Sequence, residues 1–176
     1  MGDRYLFTIT DEALADAFAI SIGGTRTLDA ADVEVTAIST LVTRGGQSLS
    51  NSFGVTCRYT GDDAYYFLVG VSGRFSIQKL VDNGTPVELA TAPNARAINP
   101  GRATNTIQAI CIGGQNGTPV NLTLIVNGSI VRSVTDSDAP ILSGGAGIAI
   151  AGQAGLVVEF EDFEFAEFVD LDQASG

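Results

Sequence analysis

The sequence predicts an all-β domain of antiparallel strands, and three observations lead there. Hydrophobic residues make up 45% of the chain, charged residues only 16%, and there are 21 glycines. Combined with regularly spaced turns, that mix suits strands better than helices or disorder. Asn-Gly occurs at Asn83-Gly84, Asn116-Gly117 and Asn127-Gly128, each time between strand-like runs, and this dipeptide is the commonest mark of a tight type I′ hairpin. Finally, Phe53, Val55, Cys57 and Tyr59 fall on one face while Gly54, Thr56 and Arg58 fall on the other. That is the period-2 spacing of a half-buried strand.

Taken along the chain, the predicted strands are Arg4–Thr10, Val33–Val42, Phe53–Tyr59, Ala64–Val71, Arg74–Val81, Val87–Thr91, Asn105–Ile112, Val120–Val126, Ile130–Thr135, Gly147–Ala151 and Leu156–Phe165. One short helix is expected at Asp11–Phe18, rich in Ala and Leu with acids in its first turn. Asp62-Asp63 sits in an acidic turn between the third and fourth strands. Both faces of Ile107–Ile112 are apolar, which predicts a central strand with a long loop over its outer face. Leu122, Leu124 and Val126 alternate with Thr123 and Ile125 before Asn127-Gly128 returns the chain through Ile130 and Val131. In the last strand Phe160 falls on the even face and Phe163 and Phe165 on the odd, so a β-bulge is expected at Glu161-Asp162. Eleven short strands cannot bury their apolar faces in one flat sheet, so two stacked sheets or a closed barrel must form. Residues 1–168 read as one domain and 169–176 as a linker or tail.

Charge and cysteine usage narrow the setting. The formal net charge is −11, and all nine acids after Arg132 lie in a stretch without a single base. Nucleic acid is a poor partner for such a surface, because phosphate binding needs clustered Lys or Arg. No apolar run approaches the roughly 20 residues that span a bilayer, so this chain is not expected to insert into a membrane. Met1-Gly2-Asp3-Arg4 lacks the order of a secretory leader, and Met1 is expected to start an excised domain. Cys57 and Cys111 occupy apolar strand positions. They would either pack as buried thiols or pair across adjacent strands, closing a loop of about 54 residues worth ~4 kcal/mol. The pairing is the preferred reading, and an extracytoplasmic home follows from it.

The residues also carry a resemblance. FGVTCRYTGDDAYYFLVGVSGRFSIQKLVDNG, ATNTIQAICIGG, LTLIVNGSIVRSVTDSD, GGAGIAIAG and FEDFEF, in that order, resemble the concanavalin A-like lectin/glucanase jelly roll. More narrowly, they are similar to non-catalytic modules of bacterial secreted or membrane-anchored proteins. The resemblance runs from about Val33 to Phe165. It implies a β-sandwich outside the cytoplasm, binding a glycan or cell-wall polymer without catalysis. Relatives open with a strand beside the final one, whereas this chain starts later, at Tyr5. An unpaired edge beside Leu156–Phe165 is therefore expected, open to strand addition by another copy. Self-association as a structural surface protein is the rival reading. The chain has no tryptophan to serve as a sugar-stacking platform.

Tested residue by residue, catalysis fares poorly. Without histidine there is no His-dependent triad or His-ligated zinc site. A glycosidase needs paired carboxylates, and Glu159, Glu161, Asp162 and Glu164 break the every-second-residue spacing that would put three on one strand face. An acid-pair hydrolase is the remote third reading. Calcium is the ion the resemblance implies, with Asp62, Asp63, Asp136 and Asp138 offering hard oxygen ligands. The same residues are turn formers whose side chains bond their own backbone, and that reading is preferred. No other cofactor is expected. Of the aromatic cluster Tyr59, Tyr65, Tyr66 and Phe67, Tyr66 is expected to be an exposed ligand contact together with Arg58 and Arg74. Four Asn-x-Ser/Thr sequons start at Asn83, Asn116, Asn121 and Asn127, and three coincide with Asn-Gly turns that explain them without glycosylation.

Overall fold

A computed structural model describes residues 4–10, 18–21, 32–44 and 51–168. Its strands are β1 (Arg4–Thr8), β2 (Phe18–Ser21), β3 (Val33–Arg44), β4 (Ser52–Tyr59), β5 (Ala64–Gly70), β6 (Phe75–Leu80), β7 (Val87–Ala92), β8 (Asn105–Gly113), β9 (Val120–Val126), β10 (Ser129–Asp136), β11 (Gly145–Ala151) and β12 (Leu156–Glu167). They form two six-stranded antiparallel sheets, in the orders β1-β12-β3-β8-β9-β10 and β2-β11-β4-β5-β6-β7. All eleven strands expected from the sequence are present. The twelfth, β2, begins at Phe18, where the expected helix ends; Asp11–Asp16 and Ala17 of that helix lie outside the described residues, as does the tail from Val169.

Alternation places the core. Val33, Val35 and Ala37 of β3, Ile107 and Ala109 of β8, Leu122, Leu124 and Val126 of β9, and Leu156, Val158 and Phe160 of β12 all point inward. They meet Phe53 and Val55 of β4, Tyr65, Phe67 and Val69 of β5, and Ile148 and Ile150 of β11 in one apolar cluster. Each buried Val, Leu, Ile or Phe among them contributes roughly 1.5–3 kcal/mol by leaving water. Gly54 is required where β4 meets β5, because a Cβ there would run into the Phe67 carbonyl.

Cys57 and Cys111 form a disulfide with a Cα–Cα distance of 6.7 Å. It joins β4 of one sheet to β8 of the other, so it staples the two layers rather than adjacent strands. Two other expectations change. The edge beside β12 is not open: β1 pairs with it from Arg4↔Glu161 to Thr8↔Val157. On the outer face of β8, Ile110 is half-buried and Ile112 is 39% exposed rather than covered. By contrast, β5 is buried on both faces. Ala64, Tyr66 and Leu68 form a second apolar cluster with Leu80, Ala149 and Ala151 on the side away from the main core. The bulge in β12 is where the phase slip placed it: the register with β3 jumps between Glu161 and Glu164, with Asp162 at φ 50°.

Candidate binding cleft

Two bulges and one set of hydrogen-bonded loops decide where side chains can meet a ligand. The first bulge removes residues from consideration. Along β4 the register with β11 passes from Cys57↔Ala146 to Tyr59↔Gly145, leaving Arg58 as the extra residue at φ 55°. A bulge re-aims the side chain it carries. Arg58 therefore turns into the end of the sandwich, fully buried, where its guanidinium donates to the carbonyls of Ile141 (2.7 Å) and Gly113 (2.9 Å) and faces Asp32 at 3.5 Å. Burial lowers its pKa, partly offset by Tyr65 and Asp32. Tyr66 is also fully buried. Burial raises its hydroxyl to about 12, with Tyr59 adding to the effect. The exposed contact expected of Tyr66 and Arg58 is thus corrected: both are interior. Arg74, half-buried, lies across Gly70.

The acidic turns are likewise occupied. Asp63 accepts from the Asp82 backbone at 2.8 Å, and Asp62 accepts from the Asn83 side chain, so Asp62-Asp63 clasps the neighbouring hairpin turn. Asp136 is consumed in the interior. Tyr65 and Lys79 stand opposite each other in the β5–β6 register, so both project into the same end of the sandwich. There Asp136 accepts from the Tyr65 hydroxyl at 2.6 Å and pairs with Lys79 at 2.8 Å. Lys79 also donates to the carbonyls of Asp138 (2.5 Å) and Ala139 (2.8 Å), and the Tyr65 oxygen accepts from the Ile141 amide at 2.9 Å. Burial, then the Asp136 hydrogen bond, push the Tyr65 hydroxyl well above its ordinary value. Arg58, Tyr65 and Lys79 together latch the loop between β10 and β11. The four acids of the calcium set thus fall into two separate hydrogen-bond groups, Asp62-Asp63 and Asp136–Asp138, and no three His, Cys, Asp or Glu gather among the described residues.

The second bulge shapes a cleft. β10 pairs with β9 as Ile130↔Ile125 and then Arg132↔Leu124, so Val131 is the extra residue. Opposed residues in an antiparallel pair share a face. Ile130 therefore faces outward with Ile125 and is 70% exposed, whereas Arg132 turns to the side of Leu124, between the layers. Both sheets end on this flank, one with β7 and the other with β10. Between them opens a cleft of about 580 Å³, within the ~300–1,000 Å³ range of ligand sites. Phe75, Ala92, Ala95, Ala97 and Val131 supply apolar lining; Thr91, Asn94 and Ser129 supply polar groups; Arg96 and Arg132 supply charge.

Three asparagines hold the cleft's loop. Asn127, at φ 51° in its Asn-Gly turn, donates to Ala97 O at 2.7 Å and to Asn105 Oδ1 at 3.0 Å. Asn105 Oδ1 also accepts from the Asn99 amide at 2.8 Å, and its Nδ2 returns a bond to Asn99 O at 2.9 Å. The Ala95 amide is tied to Gly73 O at 2.9 Å. The loop carrying Arg96 is thereby fixed before any ligand arrives, which lowers the ordering cost of binding. Sequence reasoning missed Asn94, Arg96 and Arg132. Arg132 stood out only as the last base before the acidic stretch, and strand parity alone put it beside Ile130.

The carboxylates of the last strand lie elsewhere. Glu159 and Glu161 face outward on β12, paired with Arg4 at 3.6 and 2.7 Å, and Glu164 is exposed beyond the bulge.

No protein-family model matches the chain, and no curated protein matches it in sequence. Solved structures do match in fold. A sheep galectin-11 in complex with glycerol superposes with a TM-score of 0.52 at 14% identity, covering 86% of this chain and 98% of the galectin. A heptameric SAP-like pentraxin from Limulus polyphemus gives a TM-score of 0.54 at 12% identity, covering 98% and 80%. The alginate lyase Aly36B gives 0.57 at 9% identity, covering 97% and 82%.

Proposed function

The chain folds as a jelly-roll β-sandwich with lectin-like neighbours, and from that premise we propose that it is a non-catalytic binding or sensing module, acting outside the cytoplasm on a glycan or cell-wall polymer. The observation that carries this reading is the pre-shaped cleft between β7 and β10, with its apolar lining, hydroxyl and amide groups and pinned loop. Sugars present both apolar ring faces and hydroxyls, and such a mixed lining suits them. None of the cleft's lining residues is a carboxylate, whereas glycoside hydrolysis of the usual kind needs two. The galectin and pentraxin likeness supports a lectin-type role, and the inter-sheet disulfide fits an oxidising compartment. No described helix is long and apolar enough to cross a membrane. The bacterial, secreted or anchored setting belongs to the same proposal and rests on the sequence resemblance.

Retention on immobilised polysaccharides tests it. Saturable retention, lost when Ser129→Trp fills the cleft mouth, is the expected result. Product release from a bound polymer on long incubation would replace the module with an enzyme, and retention indifferent to Ser129→Trp would move the site elsewhere. Self-association keeps one observation in its favour: β1 ends its sheet with Leu6 63% and Tyr5 42% exposed. A strict monomer by light scattering at high concentration would remove that reading.

A further inference from the structure

We propose that the β7/β10 cleft selects anionic glycans, those bearing carboxylates or sulfates, through Arg96 and Arg132; this rests on the glycan-binding reading above. The chain carries a formal charge of −11, with nine Lys and Arg in all. Two of those nine converge on one cleft that contains no acid. Neither has an ion-pair partner within 4 Å among the described residues; the arginines paired there are Arg4 and Arg58. A free pair of guanidinium groups in an otherwise acidic molecule is a local positive well, and charge complementarity sets the sign of what enters.

The placement is built rather than incidental. Arg132 faces the cleft only because Val131 bulges out of register. Arg96 is held opposite by the Asn127 bond to Ala97 O at 2.7 Å and by the Ile98 amide bond to Ala95 O at 3.0 Å. Guanidinium forks match planar carboxylates and sulfate oxygens with two parallel hydrogen bonds. A repeating anionic polymer would span both arginines, while its ring faces meet Ala92, Ala95 and Val131 and its hydroxyls meet Asn94 and Ser129. The acidic strand β12 lies toward the far side of its sheet, separated from β10 by β3, β8 and β9, so it does not compete for the same ligand.

The test is isothermal titration of the whole chain with oligogalacturonate, dextran sulfate, neutral dextran and poly-L-glutamate, repeated with Arg96→Gln, Arg132→Gln and the double variant. Both arginines are exposed, and thermal melting of the variants checks that the fold is retained. Expected is binding of oligogalacturonate, dextran sulfate or both, weakened about tenfold by each substitution and in the wild type by raising salt, with dextran unbound. Which of the two binds identifies the anionic group. Dextran binding that is lost with Ser129→Trp but unchanged in the double variant overturns the anionic selectivity and leaves the glycan reading standing. Poly-L-glutamate bound as tightly as the glycans overturns the assignment to sugars. Silence toward all four overturns both.

Discussion

Removing one member of the Lys79–Asp136 pair should damage the protein far more than removing both. The two side chains are 9% and 4% exposed with Nζ 2.8 Å from Oδ2, so each charge has exchanged water for the other. Lys79→Met leaves Asp136 as a buried carboxylate with, among the described residues, the Tyr65 hydroxyl and the Asp138 amide (3.2 Å) to solvate it. Asp136→Leu leaves the ammonium facing two carbonyls. Breaking a buried pair in this way costs about 3–5 kcal/mol, whereas replacing both members with apolar side chains is often near neutral. The double variant still strands the Tyr65 hydroxyl, at about 1–3 kcal/mol. A urea-unfolding cycle over the four proteins should therefore show each single variant losing at least 3 kcal/mol (an estimate of roughly that size) and the double losing less than either. Single losses below about 1 kcal/mol, or strictly additive losses, would refute the argument, because they would mean that the pair is solvated.

Other outcomes follow from the same structure. Replacing Cys57 and Cys111 by Ala releases a loop spanning 54 residues and should lower unfolding stability by about 4 kcal/mol; an unchanged urea midpoint would show that the bridge constrains nothing. The hydroxyls of Tyr65 and Tyr66 hold their protons above the ordinary 10.0 when folded, Tyr66 to about 12. The unfolded chain releases them first, so their contribution is complete below pH 10 and is lost as pH rises from 10 through 12. Thermal melts across that range should fall, and Tyr66→Phe should flatten the slope; a profile unaltered by that substitution contradicts the assignment. Gly54→Ala should cost about 3 kcal/mol as its methyl meets the Phe67 carbonyl, checked by the urea midpoint, and a neutral result would mean that β4 and β5 are not so closely paired.

Much of the architecture was legible because strand physics is local. Period-2 alternation in Phe53–Tyr59 and Val120–Val126, and Asn-Gly turns at positive φ (Asn127 at 51°), found the elements. The phase slip in β12 even located a bulge, since aromatic residues changed face across it. The site was less legible, because it depends on bulges that leave no such trace. Nothing in Cys57-Arg58-Tyr59 announces that Arg58 leaves the outer face, and nothing in Ile130-Val131-Arg132 announces that Arg132 enters the cleft. Tyr66 misled for a different reason. Alternation puts it opposite Tyr65 and Phe67, but says nothing about a second apolar layer with Leu68 and Ala149 on that side. The closing of the β12 edge by β1 is a long-range pairing, invisible to any local pattern.

The most direct measurement is the amide chemical-shift map of the labelled chain titrated with an acidic oligosaccharide. The cleft between β7 and β10 predicts saturable shifts confined to Phe75, 91–97 and 129–132, with the Tyr66 side of β5 and the outer face of β12 unmoved. Shifts centred on β12 or on the Tyr66 side, with the cleft silent, would contradict it.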